Sequence, residues 1–171
     1  MNEQTCVNTK DGWMLDRLVT FFKTLPSGES GKEKFSRSDP RLAAAALLFH
    51  VMDADGDSGR EERKRISQLI SDAYGLKGEA LQRLLNDGER ADQEAVDLYS
   101  FTSIIKRNLD EKARIRFIEL MWDVVYADGT AHELEDNVVW RVAELIGVST
   151  RDRIAMKQKV AERASQIAQD E

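Results

Sequence analysis

The sequence predicts an all-α fold, seven or eight helices in one compact bundle, and three observations predict it. Apolar residues recur at i, i+3, i+4 and i+7, and no segment alternates with a period of two. Proline is confined to Pro26 and Pro40 and β-branched runs are missing, both of which favour helix. A helix–acidic turn–helix unit occurs twice, so the bundle is expected to carry an internal duplication.

A chain of 171 residues suits one domain, because a domain of about 150 residues already buries roughly 70% of its unfolded surface. The expected organisation is a disordered N-terminus over 1–12 and a single helical domain over 13–171. A net charge of −6 argues against nucleic acid as a partner, which calls for a dense Lys/Arg surface against the phosphates. Cys6 is the lone cysteine, so an intrachain disulfide and a Cys-rich zinc site are excluded. Residues 1–11 are polar without an apolar h-region, so a secretory leader is not expected. The longest apolar run, Leu42 to Val51, is broken by His50. It falls far short of the ~20 residues a membrane span requires. The expected compartment is therefore the cytoplasm, with no direct membrane insertion.

Leu15, Leu18, Val19 and Phe22 form the first helical stripe, ended by Pro26. Asp39-Pro40 is a helix start, with Asp as cap and Pro pre-set at the first position. The helix that follows is apolar on most of its circumference and is expected to be central, its alanines 43–46 letting neighbours approach. A third helix spans Gly59 to Tyr74, closed by Gly75. Leu81, Leu84 and Leu85 mark a fourth segment stopping near Gly88, and Leu98, Phe101, Ile104 and Ile105 a short fifth. The sixth helix follows Asp110, and the seventh carries Val139, Val142, Ala143 and Ile146 and ends at Gly147. Ser149 or Thr150 caps a last helix with a weaker stripe of Met156, Val160, Ala164 and Ile167.

Leu47 to Gly75 aligns with Leu120 to Gly147 at an offset of 73 residues, the first copy being slightly longer near its end. Leu48-Phe49 faces Met121-Trp122, Ala54-Asp55-Gly56 faces Ala127-Asp128-Gly129, and Glu62 faces Glu135. The architectural reading makes each glycine a positive-φ turn, with Asp57 or Thr130 capping the next helix. Ser58-x-x-Glu61 and Thr130-x-x-Glu133 also fit capping boxes. Capping leaves Asp55, Glu62, Asp128 and Glu135 unexplained, and the first copy packs five carboxylates between Asp53 and Glu62. Clustered carboxylates repel unless a cation or a basic side chain answers them. Oxygen ligands of this kind suit Ca²⁺ or Mg²⁺.

Two Ala-Asp-Gly turns between amphipathic helices, each with a Glu seven positions beyond its Asp, resemble the TerB family of tellurite-resistance proteins. The resemblance covers roughly Asp39 to Ser149. It implies an all-helical fold, a role in tellurite or other chemical-stress and phage-defence systems, and a metal site. By motif match that site comprises Asp55, Glu62, Asp128 and Glu135, holding a divalent cation such as calcium, magnesium or manganese. Thr130 stands where the first copy has Asp57, and Leu134 where it has Glu61, so the second copy is poorer in ligands. The related amino-terminal domain of a DnaJ-type membrane co-chaperone shares the pattern. This chain has no His-Pro-Asp tripeptide and no J-domain, so a co-chaperone role does not carry over.

Asp53-x-Asp55-x-Asp57 is not an EF-hand, because its sixth and twelfth loop positions are Ser58 and Lys64. Gly28-x-x-Gly31-Lys32 is not a P-loop, having Glu33 where Ser or Thr binds magnesium. His50 reads as a hydrogen-bonded core histidine and His132 as an exposed one. The basic stretch Arg151 to Arg163 reads as a solvated face, with docking of an acidic partner as the alternative. No Cys/His nucleophile arrangement is present, so no catalytic residue is assigned.

The expectation is a non-enzymatic stress-response module binding a divalent cation, protein partners or both, a homodimer being one form such partnership can take. A metal-dependent hydrolase and a purely structural helical adaptor are the alternatives.

Overall fold

A computed structural model describes residues 17, 20, 21, 24, 25, 38–56, 64, 67, 78–94, 97–128 and 131–170. Within them lie six α-helices and two 3₁₀ turns: α1 (Pro40–Met52), η1 (Asp53–Asp55), α2 (Glu79–Glu94), α3 (Tyr99–Asn108), α4 (Glu111–Val125), η2 (Tyr126–Asp128), α5 (Glu133–Ile146) and α6 (Thr150–Gln169). No strand occurs among the described residues, and the class is all-α. Arg17, Thr20, Phe21 and Thr24 are helical, as are Lys64 and Ser67. The rest of the two helices expected there, and the 1–12 terminus, lie outside the described residues.

The α1 helix begins as its sequence demands. Asp39 accepts from the Arg41 N–H at 2.9 Å, and Pro40 follows at the first helical position. Ala43 to Leu48 are all at most 1% exposed, so the helix is enclosed. It packs against α2, α3, α4 and α5. Phe117, Ile118, Leu120, Met121 and Trp122 supply the inner face of α4, with Phe21 stacked on Phe117 at 5.4 Å between centroids.

Gly88 corrects one expectation. The helix does not stop there but runs through to Glu94. A Cβ at Gly88 would meet the Ala45 Cβ at 3.5 Å and the Phe49 ring at 3.7 Å, so α2 crosses α1 at small residues. At Gly147 the reading holds. With φ of 79° it closes α5, while the Val148 N–H donates to the Ala143 carbonyl at 2.9 Å, a Schellman ending. Ser149 then caps α6, its Oγ accepting from the Asp152 N–H.

Candidate functional site

Each acidic turn is built by a helix tightening into 3₁₀ geometry at its C-terminus. In α1 the Asp53 N–H reaches the Phe49 and Val51 carbonyls, and in α4 the Tyr126 N–H reaches those of Trp122 and Val124. These positions are related by the 73-residue offset. Gly56 takes φ of 77° and donates to the Asp53 carbonyl at 3.0 Å, leaving the turn in the left-handed region.

Asp55 ends η1 and Asp128 ends η2, with their side chains outside the description, while Glu62 lies outside the described residues altogether. Glu135 is buried in the first turn of α5, where its Oε2 accepts from the His132 N–H at 3.0 Å. That corrects two expectations. The cap of α5 is His132, not Thr130, and capping does account for Glu135, the third residue of the helix. One oxygen of Glu135 thus has an architectural task. Among the described residues no group of three or more His, Cys, Asp or Glu side chains gathers as an ion would require. The first turn nonetheless faces α5: Asp53 and Ala54 line one groove with Leu134, Asn137 and Val138.

A different acidic pair is far more deeply embedded. Glu119 and Asp123 stand one turn apart on α4, at 5% and 3% exposure, amid its apolar face. Arg163 on α6 spans them, with Nη1 3.0 Å from Glu119 and Nη2 2.9 Å from Asp123. Arg17 approaches from the N-terminal side at 2.6 Å from Glu119 and 3.4 Å from Asp123, and Lys159 adds a contact to Glu119 at 3.2 Å. Burial pushes the Asp123 carboxyl up to about 6, against the pull of Arg163 and Arg17, and the neighbouring Glu119 charge adds to the rise. Burial pushes Glu119 up as well, but hydrogen bonds and charges from Arg17 and Lys159 more than offset it and hold it below its ordinary value.

The Arg151 to Arg163 stretch is therefore only partly a solvated face, because Lys159 and Arg163 turn inward. Val160 is the buried residue of α6, Met156 packs against the core beside it, and Lys159 and Arg163 add ion pairs to α4. Lys157 also lies 5.0 Å from the Trp122 ring centre and pairs with Asp136. The signal was present as two complementary i,i+4 pairs, Glu119/Asp123 and Lys159/Arg163. A carboxylate cluster already answered by three cations has little capacity for a metal. His50 is hydrogen-bonded as expected, its Nδ1 2.7 Å from Asp92 Oδ1, but it is part-exposed rather than a core residue.

Comparison with known proteins follows these helices. Residues 41–158 match the family model described as tellurite resistance protein TerB. The chain is also similar to the co-chaperone protein DjlA of Photobacterium profundum, with 27% identity over 111 residues, covering 64% of this chain and 40% of that protein. DjlA of Vibrio vulnificus is 27% identical over 132 residues, covering 75% and 45%. DjlA of Vibrio parahaemolyticus is 28% identical over 128 residues, covering 73% and 43%. The chain spans less than half the length of these relatives. No solved structure matches it. No helix among the described residues is long and apolar enough to cross a membrane. The TerB family is a non-enzymatic one.

Proposed function

The chain belongs to the TerB family of tellurite resistance proteins, and we propose that it serves there as a cytoplasmic stress-response module that binds a divalent cation and partner proteins. The carrying observation is the like construction of the two acidic turns. Each follows a buried helix, tightens to 3₁₀ geometry and ends on an aspartate, 73 residues apart. Such a match supports an internal duplication, in which Asp55 and Glu62 pair with Glu135 and Asp128 as oxygen donors. Calcium, magnesium and manganese suit donors of this kind. The groove that Asp53 and Ala54 share with Leu134 and Asn137 brings the first turn to the start of α5, the turn of helix that carries Glu135. A carboxylate has two oxygens, so the cap to His132 does not bar Glu135 from a cation. Tellurite or a related chemical challenge is the stress the family's description points to.

The structural-adaptor reading also has an observation behind it, the capping bond of Glu135. Calorimetric titration of the purified chain with each of the three ions separates the two. Heat of binding lost in Asp55→Asn supports the cation reading, and a flat titration with all three leaves the adaptor. In-cell cross-linking of the full chain at native abundance tests the partner reading, which fails when nothing is recovered with or without chemical stress.

A further inference from the structure

We propose that the open groove between η1, the C-terminal part of α2 and the outer face of α5 docks a basic amphipathic helix of a partner protein. This rests on the reading of the chain as a partner-binding module. The groove has a volume of about 970 Å³, at the upper end of what small-molecule sites occupy.

α5 is apolar on two sides. Val139, Val142, Ala143 and Ile146 face the core, while Leu134 lines the groove together with Val138 and Leu145, which are part-buried against the edge of the core. Leu134 and Trp140 are left 55% and 42% exposed there, although the Arg153 guanidinium lies 5.4 Å from the Trp140 ring centre. Exposed aromatic and aliphatic anchors beside charge are the ordinary form of a helix-receiving groove.

Charge identifies the occupant. Asp53, Asp92 and Glu144 line the groove against one arginine, Arg141, and His50. Asp53 and Glu144 make no ion pair among the described residues. Asp92 Oδ1 lies 2.7 Å from His50 Nδ1, and Asp92 Oδ2 makes no hydrogen bond among the described residues. A Lys or Arg entering the groove would meet that oxygen with the carboxylates of Asp53 and Glu144 nearby. An acidic segment would meet three like charges, and a wholly apolar one would leave them desolvated without a partner.

The test uses three labelled synthetic peptides of about five helical turns. One sets leucines at i, i+3, i+4 and i+7 among lysines; the second has the same composition in scrambled order; the third replaces lysine by glutamate. Fluorescence anisotropy at physiological salt compares the wild type with Trp140→Ala, with the pair Asp53→Lys and Glu144→Lys, and with the distant exposed pair Glu111→Lys and Glu162→Lys. The patterned lysine peptide should bind the wild type and the distant pair alike, and bind Trp140→Ala and the groove pair at least ~tenfold more weakly. The scrambled and glutamate peptides should bind the wild type weakly. Should Trp140→Ala fail to fold, the groove pair, which alters surface charge, still decides. No binding by the wild type, equal binding by the groove pair, or equal loss in the distant pair overturns the proposal. A wild-type dimer in sedimentation that the groove pair splits also overturns it, since the occupant is then a second copy. A partner cross-linked in cells equally by wild type and groove pair refutes the groove alone; the absence of any cross-linked partner refutes the module reading beneath it.

Discussion

Arg163 on α6 donates to Asp123 on α4 across 2.9 Å, and the Asp123 side chain has no exposure to water. The two helices are thus joined by a desolvated charge pair where most of the bundle relies on apolar contact. Removing Arg163 takes the nearer of two cations from the buried Asp123, leaving Arg17 at 3.4 Å, so Arg163→Met should cost up to about 3 kcal/mol in urea unfolding near neutral pH. Adding Asp123→Leu to that variant should recover most of the loss. A double variant no more stable than Arg163→Met would contradict this role.

Asp123 and Glu119 pull the pH profile in opposite directions. The folded-state value of Asp123 is raised from 3.8 to about 6, so its contribution is complete below the ordinary value and lost as pH rises through about 6. Glu119 is lowered, so its contribution is present above its ordinary value of 4.5 and lost as pH falls through its folded value. Between about pH 5 and pH 7.5, the wild type should lose stability relative to Asp123→Asn, which cannot titrate. Unfolding free energies of both proteins at the two pH values check this, and parallel profiles would contradict it.

Gly88 lies within α2 with room for a methyl group at ordinary contact distance from Ala45 and Phe49. Gly88→Ala should therefore raise stability by up to about 1 kcal/mol through helix propensity. A lower melting temperature would show that α1 and α2 cannot accept the added Cβ.

Leu48 and Trp122 lie one residue away from exact register in the 73-residue offset, and both are buried to 1% or less. Leu48→Ala should cost about 2–5 kcal/mol and Trp122→Ala about 3–5 kcal/mol. Losses below ~1 kcal/mol at both would remove these positions from the central core.

Much of the frame was legible because local chemistry set it. Asp39-Pro40 opens α1, Asp110 caps α4 through the Ala113 N–H, and Gly147 closes α5. What escaped depended on residues distant in the chain. Gly88 reads as a stop until Ala45 and Phe49 are set against it. Glu119 and Asp123 are two acids in an apolar stripe until residues 17, 159 and 163 reach them. On α6, Val160 and Met156 make the apolar contact, and the inward turn of Lys159 and Arg163 shows only once Glu119 and Asp123 are set against them. Histidine is not among the usual capping residues, so the sequence does not single out His132 as the cap of α5. Of the four proposed ligands, Glu135 is the one whose side chain is described, and its capping bond was hidden behind the Thr130 box.

Thermal melting of the wild type and the Asp55→Asn/Asp128→Asn double variant, with and without millimolar calcium, magnesium or manganese, tests the central claim most directly. A bound ion stabilises by RT ln(1 + [L]/Kd), about 2.7 kcal/mol at a hundredfold excess over Kd. Carboxylates held together repel until a cation arrives, so the double variant without ion should be at least as stable as the wild type without ion. The account predicts a rise in wild-type melting temperature with at least one of the three ions and none in the variant. No rise in the wild type with any of them, at a pH where the carboxylates are ionised, would contradict it.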